Sequence, residues 1–220
     1  MKYLYLHGFA SSPNSYKANY MKEKFQEVGL TLHVPDLNLT DFSQVTLSEQ
    51  LDYLERNYLT NSLDNFLGND EPIAVIGSSL GGFLAVQLAM RSQSVQKLVL
   101  FAPAFGFGDR ISQTLGVENI AKWQQDGTRE FFHYGLKRNV NLHYRFLADA
   151  QTYAGSELKR SLPILIFHGL HDEVVPCRLS EEFVEGRSQV TLKLLDDDHA
   201  LGKDLESMWH EIKQFLPIKG

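Results

Sequence analysis

The chain has 220 residues, of which 43% are hydrophobic and 22% are charged, and its net charge is −6. These values are typical of one α/β domain with a core large enough to fold without a metal or disulfide. The acidic balance excludes the charge pattern of a nucleic-acid or anionic-membrane binder, and the single cysteine, Cys177, excludes an intramolecular disulfide.

The first apolar stretch, residues 2–6, is predicted to form a β-strand. The continuous apolar stretch before His7 is only four residues long, which is too short for the hydrophobic region of a signal peptide. No other apolar run approaches the ~18 residues of a membrane-spanning helix. Together with the single cysteine, these features predict a cytoplasmic protein with no membrane partner.

Short apolar runs alternate with segments of helical periodicity along the chain. Strands are predicted at 2–6, 30–34, 73–76, 97–101, 163–167 and 190–195, and helices at 15–28, 43–67, 80–91, 179–186 and 203–216. This alternation favours a mostly parallel sheet of about six strands with helices on both faces. Functional residues are expected at the carboxyl ends of such strands.

A serine between two glycines follows the third predicted strand. The sequence Gly77-Ser78-Ser79-Leu80-Gly81 matches G-x-S-x-G between a strand and a helix, which indicates a nucleophile elbow with Ser79 as the nucleophile. The tight turn needs residues without bulk two positions before and after the serine. Ser78 is rejected because large side chains occupy its corresponding positions. The alternative is a glycine-rich turn in which serine caps the helix.

A serine hydroxyl needs a base within reach, and the base needs an orienting acid. Asp172 follows the fifth predicted strand, with Glu173 as the alternative acid; a carboxylate here could instead cap the next helix. His199 follows the sixth strand and is the only histidine at a strand end beyond Asp172. The order Ser79, Asp172, His199 therefore predicts a catalytic triad.

The loop after the first strand is expected to lie beside the nucleophile. Its backbone N–H at Phe9 and the N–H of Leu80, which follows the nucleophile, are predicted to form an oxyanion hole. The side chain of His7 is expected to form structural hydrogen bonds rather than to catalyse.

Two sets of residues could instead bind a metal ion. One consists of residues 196–198 with His199, and the second of His168 and His171 with Asp172. Consecutive residues cannot all point at one ion, which argues against the first set. No metal and no organic cofactor are predicted.

About sixty residues separate the fourth and fifth strands, far more than a simple crossover needs. This segment is rich in large aromatic residues and predicts a β-hairpin over 130–144, one or two helices over 109–126 and another over 145–153. We expect a core of residues 1–104 plus 161–220, and a small cap of residues 105–160 over the strand ends. The alternative is a satellite core without substrate contact.

Four motifs spanning nearly the whole chain resemble the α/β-hydrolase superfamily, and within it the small esterases of the YqiA type. They are Tyr-Leu-His-Gly-Phe-Ala-Ser-Ser-Pro (5–13), Gly-Ser-Ser-Leu-Gly-Gly (77–82), His-Gly-x-x-Asp-x-Val-Val-Pro (168–176) and Asp-His (198–199). The resemblance implies a three-layer α/β-hydrolase fold that lacks the two leading strands. It also implies ester or thioester hydrolysis through an acyl-enzyme, using Ser79, His199 and Asp172.

The sequence thus predicts a serine esterase that acts on a small-molecule acyl ester or thioester, as a monomer or small homo-oligomer. The aromatic cap favours an apolar or aromatic acyl group in a closed pocket. A thioesterase, acyltransferase or peptidase could use the same triad, because the triad does not choose the acyl acceptor. A non-catalytic small-molecule binding protein could share this fold, and a metal-dependent hydrolase is the third hypothesis.

Overall fold

The computed structural model describes residues 1–59 and 71–218. Its strands are β1 (Lys2–Leu6), β2 (Leu32–His33), β3 (Ile73–Ser78), β4 (Val95–Phe101), β5 (Thr128–His133), β6 (Arg138–His143), β7 (Ile164–Gly169) and β8 (Val190–Leu195). Its α-helices are α1 (Tyr16–Glu27), α2 (Leu47–Leu54), α3 (Leu80–Arg91), α4 (Phe107–Leu115), α5 (Val117–Asp126), α6 (Arg145–Gln151), α7 (Arg178–Val184) and α8 (Leu205–Phe215). The predicted strands and helices are confirmed in type, but β2 and α2 are shorter than expected.

Six parallel strands form the main sheet of the described chain, in the spatial order β2-β1-β3-β4-β7-β8. The central strands β3 and β7 are buried along their whole length, because helices cover both faces. In β1, Leu4 and Leu6 join the apolar cluster on the face of α2 and α3, whereas Tyr3 and Tyr5 join the cluster of α1 and α8. The predicted three-layer arrangement around a mostly parallel sheet is therefore confirmed.

The second strand covers two residues rather than the predicted 30–34. Gly29 ends α1 with a φ of 71°, and the N–H of Leu30 then donates to the carbonyl of Phe25 at 2.9 Å. Leu30 is thus part of the helix end and not of the sheet. On the other side Pro35, which has no N–H, follows soon after β2 and limits the strand.

The helix predicted over 43–67 begins at Leu47. The hydroxyl of Thr46 accepts from the N–H of Glu49 at 3.1 Å, and the Glu49 carboxylate accepts from the N–H of Thr46 at 3.0 Å. This capping box fixes the start of α2, and the preceding Phe42–Gln44 forms a separate 3₁₀ turn. After Leu54 the chain continues as a π-helical turn, Glu55–Leu59. The rest of the predicted helix and the break at 68–70 lie outside the described residues.

The segment between β4 and β7 contains two helices, a hairpin and a further helix. The predicted hairpin is confirmed, because β5 and β6 pair in antiparallel register from Thr128↔His143 to His133↔Arg138. Trp123, Leu142 and Phe146 are buried in the same apolar cluster as α2 and α3. The segment therefore packs against the helices on one side of the main sheet. Its division from the core as residues 105–160 stays a prediction.

None of the helices within the described ranges has the length and apolar character needed to span a membrane.

Candidate active site

Ser79 occupies the sharp turn between β3 and α3. Its φ of 53° and ψ of −116° are strained for a residue with a side chain. Backbone hydrogen bonds hold the turn. The Ser79 N–H donates to the carbonyl of Phe101 at 2.9 Å, and the Ser79 carbonyl accepts from the N–H groups of Gly82 and Ala104 at 2.9 and 3.0 Å. The Ser79 side chain makes no helix-capping hydrogen bond, so the alternative of a capping serine does not describe this turn.

Gly77 and Gly81 flank the turn where backbone segments touch. A Cβ atom at Gly77 would overlap the carbonyl oxygen of Gly81, and a Cβ at Gly81 would overlap the carbonyl of Leu6 in β1. Neither position has room for a side chain. The two glycines therefore allow β1, β3 and α3 to approach closely enough to form the elbow.

The structure brings Ser79, His199 and Asp172 together from the ends of β3, β8 and β7. The Nε2 atom of His199 lies 3.1 Å from the Oγ of Ser79, and its Nδ1 lies 2.7 Å from the Oδ2 of Asp172. An ionised carboxylate only accepts hydrogen bonds, so Nδ1 carries the proton and Nε2 is free to accept from the serine hydroxyl. The arrangement can remove a proton from Ser79 as it attacks an electrophile.

The Asp172 carboxylate is completely buried, whereas the His199 side chain is 25% exposed. Burial alone would raise the pKa of Asp172, but hydrogen bonds from His168, His199 and the N–H of Val175 outweigh it and hold the pKa well below its usual range. Asp172 is thus ionised at neutral pH. The neighbouring Glu173 is exposed, so the alternative acid points away from this network.

His168 is a second histidine on the same carboxylate. Its Nε2 lies 2.8 Å from the carbonyl oxygen of Val175 and 3.1 Å from the Oδ2 of Asp172, and its Nδ1 lies 2.7 Å from the hydroxyl of Ser180. Because a carbonyl only accepts, Nε2 carries the proton and Nδ1 accepts from Ser180. His168 is fully buried, and its hydrogen bond gives the Asp172 carboxylate a second imidazole partner besides His199.

The sequence indicated for His168 only an alternative role as a metal ligand. The signal that could have revealed its contact is the His-Gly-x-x-Asp spacing, in which a polar residue ends an otherwise apolar buried strand. The structure separates the members of that metal set, since His171 faces Asp196 at 2.7 Å on the surface. Across residues 1–59 and 71–218, no three His, Cys, Asp or Glu side chains are arranged to hold a metal ion.

The aspartates before His199 shape their own loop. The Asp197 carboxylate accepts from the N–H groups of Asp198 and Lys203 at 2.8 and 2.9 Å, and the Asp198 carboxylate accepts from the N–H of Ala200 at 2.8 Å. These bonds define the backbone on both sides of the imidazole. The acidic run is therefore a turn that positions His199.

The loop after β1 lies against Ser79. A Cβ at Gly8 would stand 3.5 Å from the Cβ of Ser79, because β1 pairs directly with β3. In the described chain, neither the N–H of Phe9 nor that of Leu80 donates to another group. The expected structural role of His7 is confirmed, because its Nε2 accepts from the N–H of Leu37 at 3.0 Å.

The segment between β4 and β7 contacts this loop. The N–H of Tyr134, in the turn of the β5–β6 hairpin, donates to the carbonyl of Ala10 at 2.7 Å. The ring of Phe9 packs edge-on against Phe131 and tilted against Phe146, with ring centroids 5.3 Å apart in both pairs. The hairpin thus supports the backbone on which Phe9 sits.

In the described part of the chain, two cavities open at Ser79. The first, which we call the apolar cavity, has a volume of about 330 Å³ and is lined mainly by Phe105, Phe107, Ile111, Leu115 and Phe131. The second, which we call the His199 cavity, has a volume of about 570 Å³ and is lined by residues including Tyr16, Lys17, Tyr134, His199 and Ala200. Phe9, Ser79 and Val174 line both cavities, so the candidate nucleophile lies where they meet.

Lys17 holds the His199 loop from α1. Its Nζ donates to the carbonyl of Ala200 at 2.6 Å. Burial lowers the pKa of Lys17 to about 8, although the charges of Asp197, Asp172 and Asp198 oppose the shift. Lys17 was absent from the candidate residues, and its helical position on α1 gives no signal of this contact in the sequence.

The fold consists of a parallel sheet between two layers of helices. A strained serine follows β3, an acid follows β7 and a histidine follows β8, an arrangement typical of hydrolases with this fold. The chain has the α/β-hydrolase fold, so the fold implied by the resemblance of its motifs is confirmed. It belongs to UPF0227, described as an uncharacterised protein family, whose family model matches residues 2–217.

Solved structures share the fold at low sequence identity. Mouse alpha/beta hydrolase domain-containing protein 10 is 22% identical with a TM-score of 0.76, covering 98% of this chain and 89% of its own. Est1E from Butyrivibrio proteoclasticus, with ferulic acid bound, is 23% identical with a TM-score of 0.75, covering 97% and 87%. The monoacylglycerol lipase of Paleococcus ferrophilus is 14% identical with a TM-score of 0.69, covering 98% and 94%. A search of curated protein sequences finds no match.

Proposed function

We propose that this protein is a serine hydrolase that cleaves carboxylic esters or thioesters of small molecules through an acyl-enzyme. The observation that carries the proposal is the hydrogen-bonded series from the strained Ser79 through His199 to the buried, ionised Asp172. The α/β-hydrolase fold and the likeness to an esterase and a lipase support the hydrolase class. Cytoplasmic location and a monomeric or small homo-oligomeric state stay predictions.

In the proposed reaction the Oγ of Ser79 attacks the acyl carbonyl, and its proton moves to the Nε2 of His199. Asp172 fixes the imidazole and stabilises its positive charge. The N–H groups of Phe9 and Leu80, which have no acceptor in the described chain, would bind the oxyanion. His199 then gives its proton to the leaving alcohol or thiol as the acyl bond breaks. Water attacks the acyl-enzyme by the same route and releases the acid.

We infer the use of the two cavities from the position of His199. The general acid must reach the leaving group; His199 lines the larger cavity and is not among the described residues that line the apolar cavity. The alcohol or thiol therefore occupies the His199 cavity. The acyl group occupies the apolar cavity, whose apolar walls suit an aliphatic or aromatic acid.

Residues 105–160 act in this proposal as a cap. Phe107, Ile111 and Leu115 from α4 and Phe131 from β5 line the apolar cavity beside Ser79. A satellite core without substrate contact would not supply the walls of the acyl site. The cap is thus the part of the chain that selects the acyl group.

The test compares Ser79→Ala with Ser78→Ala. Hydrolysis of p-nitrophenyl acetate and butyrate by Ser79→Ala is expected to fall by about 10⁴-fold or more, because the nucleophile is gone. Ser78→Ala should keep activity and labelling by a fluorophosphonate, whereas Ser79→Ala should lose the label. Unlabelled wild-type protein would favour a non-catalytic binding protein. A parallel series of acyl esters and thioesters of graded length distinguishes esterase from thioesterase.

A further inference from the structure

The apolar cavity contains a cation. Arg110, on α4, is the charged residue among its otherwise aromatic, aliphatic and small lining side chains in the described chain. The Nη2 atom of Arg110 donates to the carbonyl of Val174 at 3.3 Å. Its Nη1 is buried, and within residues 1–59 and 71–218 no acceptor lies within hydrogen-bond distance of it.

Two arginines elsewhere in the chain have acceptors for their guanidinium groups. Arg160 donates to backbone carbonyls including those of Ser92 at 2.8 Å and Ala89 at 3.1 Å. Arg91 bonds to the carboxylate of Asp52 at 3.1 Å. A buried charged donor without an acceptor is costly, which is why such groups normally have partners. The missing acceptor of Arg110 therefore calls for an explanation outside the described chain.

The charge of Arg110 is also poorly compensated. Burial lowers its pKa, and the positive charge of Arg178 lowers it further, whereas the charge of Asp172 opposes the shift. Asp172 is already occupied by two histidines and two backbone N–H groups. Because Arg110 lines the apolar cavity, an added anion there would supply the missing charge.

We propose that Arg110 binds a carboxylate at the far end of the acyl group, so that the preferred substrates are half-esters or half-thioesters of dicarboxylic acids. This inference rests on the proposed function, because it assigns the acyl group to the apolar cavity. The chain of such an acid would pack among Phe107, Ile111 and Phe131, with its first carbonyl at Ser79 and its carboxylate at Arg110. The competing role for Arg110 is structural, as a support for the Asp172 loop through Val174.

The experiment compares three acyl groups of equal backbone length: the p-nitrophenyl esters of hexanoic acid, adipic acid and monomethyl adipate. The wild-type protein should have a kcat/KM about 10- to 100-fold higher for the adipate, corrected for hydrolysis in the presence of Ser79→Ala. Arg110→Met should abolish or reverse this preference, and Arg110→Lys should keep part of it. Arg178→Met is the matched control: it removes a neighbouring charge that is 72% exposed and lies outside the cavity, and it should keep the preference.

Two results would overturn the inference. One is a wild-type protein that hydrolyses the neutral acyl groups as well as or better than the adipate. The second is an Arg110→Met variant that slows all three substrates equally, because a structural support would act through Asp172 without regard to the acyl group.

Binding to the Ser79→Ala protein separates this inference from the proposed function. Calorimetry should show tighter binding of adipate than of hexanoate, and Arg110→Met should remove the difference. Equal binding of the two acids contradicts the role of Arg110. The proposed function would instead be contradicted by hydrolysis that does not depend on Ser79, and this outcome is independent of the binding result.

Discussion

The ends of β3, β7 and β8 and the segment between β4 and β7 contribute to the candidate site in different ways. Ser79, Asp172 and His199 lie on short loops whose backbones are fixed by hydrogen bonds and by glycines at close contacts. The segment contributes side chains of helix and hairpin, such as Phe107 and Phe131, which form cavity walls. In the proposed function, the strand ends supply the reactive groups, and the segment supplies the surface that a substrate meets.

This difference implies that the two regions should respond differently to substitution. Changes at the strand ends should affect every substrate, because they alter the bond-breaking steps. Changes in the segment should alter the ratio between substrates. The following variants test that separation, beginning with the largest expected effect.

Asp172→Asn should lower kcat by about 10³- to 10⁴-fold for all esters. An amide can donate toward the Nδ1 of His199, which would favour the tautomer that cannot accept the Ser79 proton. The measurement is steady-state hydrolysis of acetate and butyrate esters, with Glu173→Gln as the matched control of equal charge change. A similar loss in Glu173→Gln would contradict the assignment of Asp172 as the acid that orients His199.

His168→Phe should lower kcat by about tenfold for all esters and weaken the folded state by about 2 kcal/mol, because it leaves Ser180 and Val175 without their buried partner. Ser180→Ala should have a smaller effect on kcat, since it keeps the Nε2–H of His168 on Asp172. An effect of His168→Phe on one acyl length alone would contradict a positioning role. His168→Gln, which can still donate, should restore part of the activity.

The His168→Phe variant is also expected to change the pH dependence of the unfolding free energy. Because the pKa of Asp172 is lower in the folded protein than in the unfolded chain, the ionised carboxylate stabilises the fold at pH values above its unfolded-state pKa. This stability is lost progressively as the pH falls below about 5. Removing His168 removes one cause of that lowered pKa, so the loss of unfolding free energy from pH 7 to about pH 3 should be smaller in His168→Phe. Denaturant titrations at the two pH values measure the difference. An unchanged difference would show that His168 does not control Asp172.

Ile111→Phe should change the preference for acyl length. The larger side chain fills part of the apolar cavity, so kcat/KM for butyrate should fall by about fivefold relative to acetate. Val117→Phe adds a ring at a position that is 84% exposed on α5, and it should leave the ratio unchanged. Equal changes for both esters in Ile111→Phe would remove the distinction between the two regions.

The strand ends could be predicted from the sequence because their constraints are local. Four apolar residues, a glycine on each side of Ser79 and a helical pattern after it leave little choice of backbone. Asp172 and His199 follow strands of the same kind, and parallel strands place their carboxyl ends at one edge. The start of α2 was harder, because a capping box between Thr46 and Glu49 outweighed the longer apolar periodicity.

The parts that could not be predicted depend on contacts between distant segments. His168 meets Ser180, and Lys17 meets Ala200, only after the sheet and its helices have assembled. The unpartnered Nη1 of Arg110 is a property of the space around α4 and is not visible in residue spacing. Packing of the segment's aromatic side chains likewise decides the cavity's shape, which composition does not specify.

The bond from Tyr134 to Ala10 has a consequence for how substrates enter. In the proposed function, a movement of the hairpin away from the site would pull on the main chain that carries Phe9 and would displace the N–H assigned to the oxyanion hole. We therefore expect a permanently open entrance beside Tyr16 and Lys17. Diffusion of product through that opening, and not a large gating motion, would then limit the rate of product release.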